Sequence, residues 1–372
     1  MNNGMRYLLA FGLPLLAALA LTPLFSRLAQ RLGILDHPQK HKVHEHATPY
    51  LGGLAVAGGL LIVATVTAGT SAQLLIIVVG AGAMAALGFA DDWRHVGPVV
   101  KLLVETAAAV ALWLAGARAG LFGPDVVHLA LTILWVVAIT NAVNMLDNMD
   151  GVVPGVAAVS ALGFFSIAAV RGDYLVASLA LAIAGASFGF LRYNFPPARI
   201  FLGDAGSLML GFLLAALGLK LDLVGVTGIV RGALIPFLLL AVPIFDMSMV
   251  ITARLRERRP VYLGGTDHTA HRFAHRGVSP RRIALAAYLI QAVACELAFI
   301  LLEAPAEIVL MAGVVIAVLA LAWLVAVLHL EPPIRGGVTA DRGLIPVPEA
   351  EQEPQGGHDA REEQTSGQRS TG

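Results

Sequence analysis

The sequence predicts an all-α, polytopic integral membrane protein with about eleven transmembrane helices, and three observations predict it. Of 372 residues, 57% are hydrophobic and only 13% charged, against roughly 45–50% and about 25% in soluble domains. The apolar residues gather into runs near the length of about 20 residues that a helix needs to cross hydrocarbon. Between these runs Lys and Arg fall in alternate loops, the pattern that orients helices across a bilayer. Helices are the expected element because lipid offers an open backbone no hydrogen-bond partner.

In chain order the expected spans are 7–27, 51–69, 72–90, 101–117, 127–145, 152–170, 174–192, 205–221, 230–250, 282–302 and 306–329. Arg6, the following apolar stretch and Ala18-Leu19-Ala20 have the layout of a cleavable leader. The uncharged run Tyr7 to Phe25 is nevertheless long enough to span, and Arg27, Arg31, Lys40 and Lys42 behind it resist translocation. Several later spans are short and rich in Ala and Gly, which suits close helix packing. Segments 27–50, 91–101, 192–204 and 251–282 hold 16 Lys and Arg, whereas the other side has Arg6, Arg118, Arg171, Lys220 and Arg231. The first set is expected to be cytoplasmic, with the N-terminus outside and the C-terminus inside a cell inner or plasma membrane. Residues 1–330 form the multi-span membrane domain. Residues 331–372, with 8 acids against 4 bases and little apolar content, are expected to be a disordered cytosolic tail. A basic body with an acidic tail points to anionic lipid as partner and away from nucleic acid. The lone Cys295 can form no internal disulfide.

Every dense polar motif falls on the expected cytoplasmic side. Asp91 and Asp92 close the third span, Asn141, Asn144, Asp147 and Asp150 close the fifth, and Asp204 opens the eighth. Like charges raise one another's pKa unless a cation sits between them. Oxygen ligands without cysteine suit Mg²⁺, with Mn²⁺ as the alternative ion and zinc a minor one. Asn141, Asn144, Asp147 and Asp150 share one face if the helix persists, although Asn141 reads equally as an interhelical hydrogen bond. Gly203-Asp204-Ala205-Gly206-Ser207 at a helix start would turn free N–H groups toward an anion. His41, Lys42, His44 and His46 in one loop, and Asp267, His268, His271, Arg272 and His275 in another, supply groups to clamp phosphates; Arg254 to Arg259 read first as membrane anchors. Glu105 is expected to pair with Lys101 one turn earlier, and Glu296 has no evident partner. These charges also fit a simple water boundary or an ion-coupled transporter. Acids at helix ends, not at mid-membrane, favour an enzyme.

At these residues the sequence resembles the polyprenyl-phosphate N-acetylhexosamine-1-phosphate transferases, a family that includes phospho-MurNAc-pentapeptide transferase and undecaprenyl-phosphate GlcNAc-1-phosphate transferase. The resemblance covers about residues 7 to 302. It is carried by Lys42 and His44 before Pro49, Gly52 and Gly53, by Asp91-Asp92, by Asn141 through Gly151, and by Gly203 through Ser207. Two departures are visible: Asn148 stands where the family usually has Gly, and Ala270 where its loop often has a middle His. The resemblance implies attack of a polyprenyl (undecaprenyl) phosphate on the β-phosphorus of a UDP-sugar donor, releasing UMP, in one step or in two. It implies catalytic roles for Asp91, Asp92, Asp147 and Asp150, and Mg²⁺ on Asp204 with Asp147 or Asp150 assisting. Asp91 would receive any proton. Substrate would be bound by Lys42, His44, Asn141, Asn144, Asp267, His268, His271 and Arg272. A homodimer is allowed for as a partner state. Thr48 to Gly53 and the Arg-rich loop look more like the GlcNAc-1-phosphate branch than the MurNAc-pentapeptide branch; a silent, lipid-binding relative is the remaining alternative.

Overall fold

The computed structural model describes residues 2–36, 48–66, 71–119, 124–221, 228–262 and 265–330. Lys42, His44 and the 331–372 tail lie outside the described residues. The elements are α1 (Asn3–Leu32), β1 (Leu35–Asp36), β2 (Thr48–Pro49), α2 (Gly52–Val66), α3 (Ala72–Trp93), α4 (Pro98–Leu114) and α5 (Asp125–Leu146). They continue with α6 (Val152–Val170), α7 (Tyr174–Asn194), α8 (Gly203–Lys220), α9 (Ile229–Leu239), α10 (Ala241–Arg256), α11 (Thr269–His275), α12 (Pro280–Leu301) and α13 (Ala306–Leu328). The two short strands pair antiparallel, Leu35 opposite Pro49 and Asp36 opposite Thr48.

Eight of these helices are long and apolar enough to cross a membrane, and the α9–α10 pair makes a ninth if it is one span. The expected spans at 51–69 and 101–117 appear as helices of 15 and 17 residues. At 17 residues α4 is at the lower end of the spanning range of about 17–25.

The expected straight span at 230–250 is broken: α9 and α10 meet at 84°. Pro243 has no N–H, so the Leu239 carbonyl loses its intrahelical donor. Gln291, wholly buried on α12, repairs the break. Its Nε2 donates to the carbonyls of Leu239 (2.9 Å) and Leu238 (3.2 Å), and its Oε1 accepts the Val242 N–H (3.0 Å). One amide thus satisfies backbone groups that would be costly to leave bare in an apolar surround.

α8 is the central helix, buried along almost its whole length, whereas α13 is exposed along nearly all of its own. Around α8 pack α3 and α5, while α7 holds α1 and α6. Phe164, Phe190 and Phe212 fill the interior, and Leu289, Val293, Leu310, Val314 and Leu321 face outward. An outward apolar belt is what a lipid solvent requires.

The packing of α3 on α8 sets the position of the acidic groups. Gly88 lies one turn before Asp91 and Asp92, and a Cβ there would sit 2.2 Å from the backbone carbonyl of Asp204. Gly53 makes the same kind of approach, its Cβ position 2.2 Å from the Gly206 nitrogen. The Gly53 N–H donates to the Leu202 carbonyl (2.8 Å). Gly88→Ala is therefore expected to destabilise the protein by about 1–3 kcal/mol through overpacking against backbone. Thermal unfolding in detergent measures this, and a midpoint equal to that of the unaltered protein would contradict the close approach.

Candidate active site

The helix ends of α3, α4, α5 and α8 converge on one mixed-charge cluster. Lys101, on the first turn of α4, places its ammonium 2.5 Å from Asp91 Oδ2 and 2.9 Å from Asp204 Oδ2. Asp91 Oδ1 also accepts the Val96 N–H at 2.6 Å. The second oxygen of Asp204 accepts from Asn144 Nδ2 at 2.9 Å, and the same amide reaches Ser207 Oγ at 2.9 Å. At 28% side-chain exposure against 9% for Asp91, Asp204 is the more open of the two Lys101 partners.

The N–H groups at the start of α8 are not turned to a foreign anion as the sequence suggested. Asp92 takes them, its Oδ1 accepting from Asp204 N–H (3.0 Å) and its Oδ2 from Ala205 N–H (3.2 Å). A carboxylate at a helix N-terminus is stabilised by the helix dipole and by those unpaired donors. Gly203, with φ 72°, permits the approach, since a Cβ there would stand 2.6 Å from Asp92 Oδ2.

The four-residue face expected along the end of α5 is divided. The helix ends at Leu146, so Asp147 caps it and Asp150 lies in the following turn. Asn141 points away from the cluster and donates to Glu105 Oε2 (2.6 Å) and the Val137 carbonyl (2.9 Å). Glu105 therefore bonds to Asn141 and forms no ion pair with Lys101. Asp150 Oδ2 accepts the Ala198 N–H at 2.9 Å. The turn is also fixed by Asn194, which accepts the Gly151 N–H (2.9 Å), and by Tyr288, whose hydroxyl donates to the Gly151 carbonyl (2.6 Å). Gly151 carries the left-handed backbone here, with φ 75°, and Asn148 does not adopt it.

Asp147 differs from its neighbours. Among the described residues no hydrogen bond reaches its carboxylate, and burial, reinforced by Asp204, Asp92 and Asp150, pushes its pKa well above the ordinary carboxylate range. A cation beside it would relieve that cost. Among the described residues no three His, Cys, Asp or Glu side chains form a closed ligand set. Asp147 and Asp204, whose charges oppose each other, are the residues that could hold an ion such as Mg²⁺, which takes one or two carboxylates and completes its shell with substrate phosphate.

The 265–276 loop is bonded to α10 and to the end of α13, whose Met249, Val250 and Val327 form a small cluster on which Met145 of α5 packs. Asp267 is held between Arg254 Nε (3.2 Å) and Arg259 Nη2 (2.5 Å). Burial raises the Asp267 pKa, but the two guanidinium groups outweigh it and hold the carboxyl below its usual range. Arg254 is itself buried and also donates to the Val261 carbonyl (2.5 Å), so it is an internal strut and not a headgroup anchor. His268 Nδ1 lies 2.8 Å from Asp246 Oδ2. His271 stands beside it, ring centroids 6.1 Å apart, and burial together with His268 keeps its pKa below the ordinary imidazole value. Arg272 is 2% exposed and bonds to the carbonyls of Asp267, Val327 and Leu330, joining the loop to the end of α13.

Sequence reasoning thus found Asp91, Asp92, Asn144, Asp147 and Asp204, which the fold brings together. It did not place Lys101 in the site, reading it as a loop charge and as the partner of Glu105, although a lysine on the first turn of an apolar helix ten residues after Asp91 was a readable signal. It also missed Asn194 and Tyr288, whose partners are fixed only by the tertiary fold.

Residues 74–222, which run from α3 through α8, match the model of glycosyl transferase family 4. A probable undecaprenyl-phosphate N-acetylglucosaminyl 1-phosphate transferase of Bacillus subtilis is 35% identical over 297 residues, covering 77% of this chain and 82% of the relative. A decaprenyl-phosphate N-acetylglucosaminephosphotransferase of Mycolicibacterium smegmatis is 31% identical, covering 82% and 84%. A phospho-N-acetylmuramoyl-pentapeptide-transferase of Rubrobacter xylanophilus is 28% identical, covering 72% and 86%. With the motif residues assembled at one cluster and similarity running through most of both chains, the chain belongs to glycosyl transferase family 4.

Proposed function

We propose that this protein is a membrane enzyme that transfers GlcNAc-1-phosphate from UDP-GlcNAc to undecaprenyl phosphate or a related polyprenyl phosphate. An oxygen of the lipid phosphate attacks the β-phosphorus of the donor, the bond from that phosphorus to the bridging oxygen breaks, and UMP leaves. The observation that carries the reading is Lys101 bridging Asp91 and Asp204 beside Asn144. Phosphoryl transfer depends on positioning and charge neutralisation, and this cluster offers an ammonium, an amide donor and carboxylates at adjoining helix ends.

In this reading Asp91 orients Lys101, and Asp92 fixes the start of α8 so that Asp204 faces the cluster. The lipid phosphate, with a second pKa near 6, is mostly dianionic at pH 7 and needs little help from a base. Mg²⁺ held by Asp204 and Asp147 would neutralise phosphate charge. His268 and His271 are assigned to the donor, and so are Lys42 and His44. The eleven-span topology, the cytoplasmic placement of the cluster in an inner or plasma membrane, and a homodimer belong to the same proposal.

Purified protein with Mg²⁺ and undecaprenyl phosphate is expected to release UMP from UDP-GlcNAc in preference to UDP-MurNAc-pentapeptide. Chelation should stop release and added Mg²⁺ restore it. No UMP from any donor in a panel of UDP-sugars would sink the enzyme reading.

A further inference from the structure

One buried acid outside the Lys101 cluster has a geometry that the proposed chemistry has not used. Asp246, 3% exposed on α10, accepts with both carboxylate oxygens from the start of α11. Oδ2 is 2.8 Å from His268 Nδ1 and Oδ1 accepts the Thr269 N–H at 2.9 Å. The backbone next to His268 is pinned as well, since Arg272 Nε donates to the Asp267 carbonyl (3.0 Å) while Arg254 and Arg259 hold the Asp267 side chain. Among the described residues no hydrogen bond reaches His268 Nε2.

We propose that Asp246 is a positioning residue that acts through His268, holding the ring by Nδ1 so that Nε2–H is presented to the diphosphate of the nucleotide-sugar donor. A histidine whose first ring nitrogen donates to a carboxylate has its orientation fixed, and its outward nitrogen is a donor only in the imidazolium form. In the imidazolium form the carboxylate is the counter-charge and the second nitrogen is a charge-assisted donor suited to a phosphate oxygen. The lipid acceptor is not the partner in this proposal.

The inference rests on the transferase reading, and its test is a double-mutant cycle on the full-length protein. Asp246→Asn and His268→Ala should each raise the KM for UDP-GlcNAc by about tenfold to a hundredfold, the range of a hydrogen bond to a charged group. The KM for undecaprenyl phosphate should stay within about twofold in both variants. In the His268→Ala background, Asp246→Asn should add less than about twofold, because its effect passes through the missing ring. The same factor in both backgrounds would overturn the proposal and leave Asp246 a packing residue, as would an unchanged KM in Asp246→Asn. Should Asp246→Asn not fold, Asp246→Glu carries the same cycle. UDP binding by titration calorimetry repeats the cycle without turnover. A protein that releases no UMP would overturn the transferase reading, while the binding cycle still decides the pairing of Asp246 with His268.

Discussion

Asp204→Asn is expected to reduce turnover by about 10³-fold or more while the protein remains folded. The substitution removes one negative charge from the most open carboxylate beside Lys101 and sets an amide N–H₂ against the ammonium. Its backbone N–H, which Asp92 accepts, is untouched, so the start of α8 keeps its anchor. Loss of a preorganised charge at a phosphoryl-transfer site has effects of about 10²–10³ or larger. The check is the UMP release rate together with the thermal unfolding midpoint. Activity within about threefold of the unaltered protein would show that Asp204 does not take part in charge neutralisation.

Lys101→Met should have the second largest effect, a fall in turnover of about 10²–10³. The ammonium is the shared partner of Asp91 and Asp204. Removing one partner of a partly buried charge group leaves the others uncompensated, which is more damaging than the net worth of the pair. The variant is expected to unfold at a lower temperature than Asp204→Asn as well, because two carboxylates then face each other without a cation. Unchanged turnover, or a midpoint above that of Asp204→Asn, would contradict the bridging role.

What was legible in the sequence was legible for physical reasons. Long apolar runs specify helices without reference to tertiary contacts, so the order of helices followed from hydropathy. The broken α9–α10 segment did not, because Pro236 and Pro243 sit inside an apolar run and the amide that repairs the break, Gln291, comes from α12. Asp91, Asp92, Asn144, Asp147 and Asp204 stood out because acids and amides at helix ends in lipid are rare and costly. Their internal arrangement was hidden. Asp92 proved to be the cap of α8, Asn141 the partner of Glu105, and Asp150 a latch on Ala198, each pairing made across more than thirty residues of sequence. Arg272 and Arg254 carry charges that composition assigns to the surface, yet both are buried struts of the 265–276 loop. The sequence had no means of distinguishing them from Arg276, which is exposed.

In the proposed reaction a sugar-1-phosphate unit moves, and not the sugar alone. UDP-GlcNAc labelled with ³²P at the β-phosphate, incubated with the protein, Mg²⁺ and undecaprenyl phosphate, tests it directly. Label is expected in the lipid fraction and unlabelled UMP in the aqueous one. Label retained in UDP, with unlabelled sugar on the lipid, would contradict it.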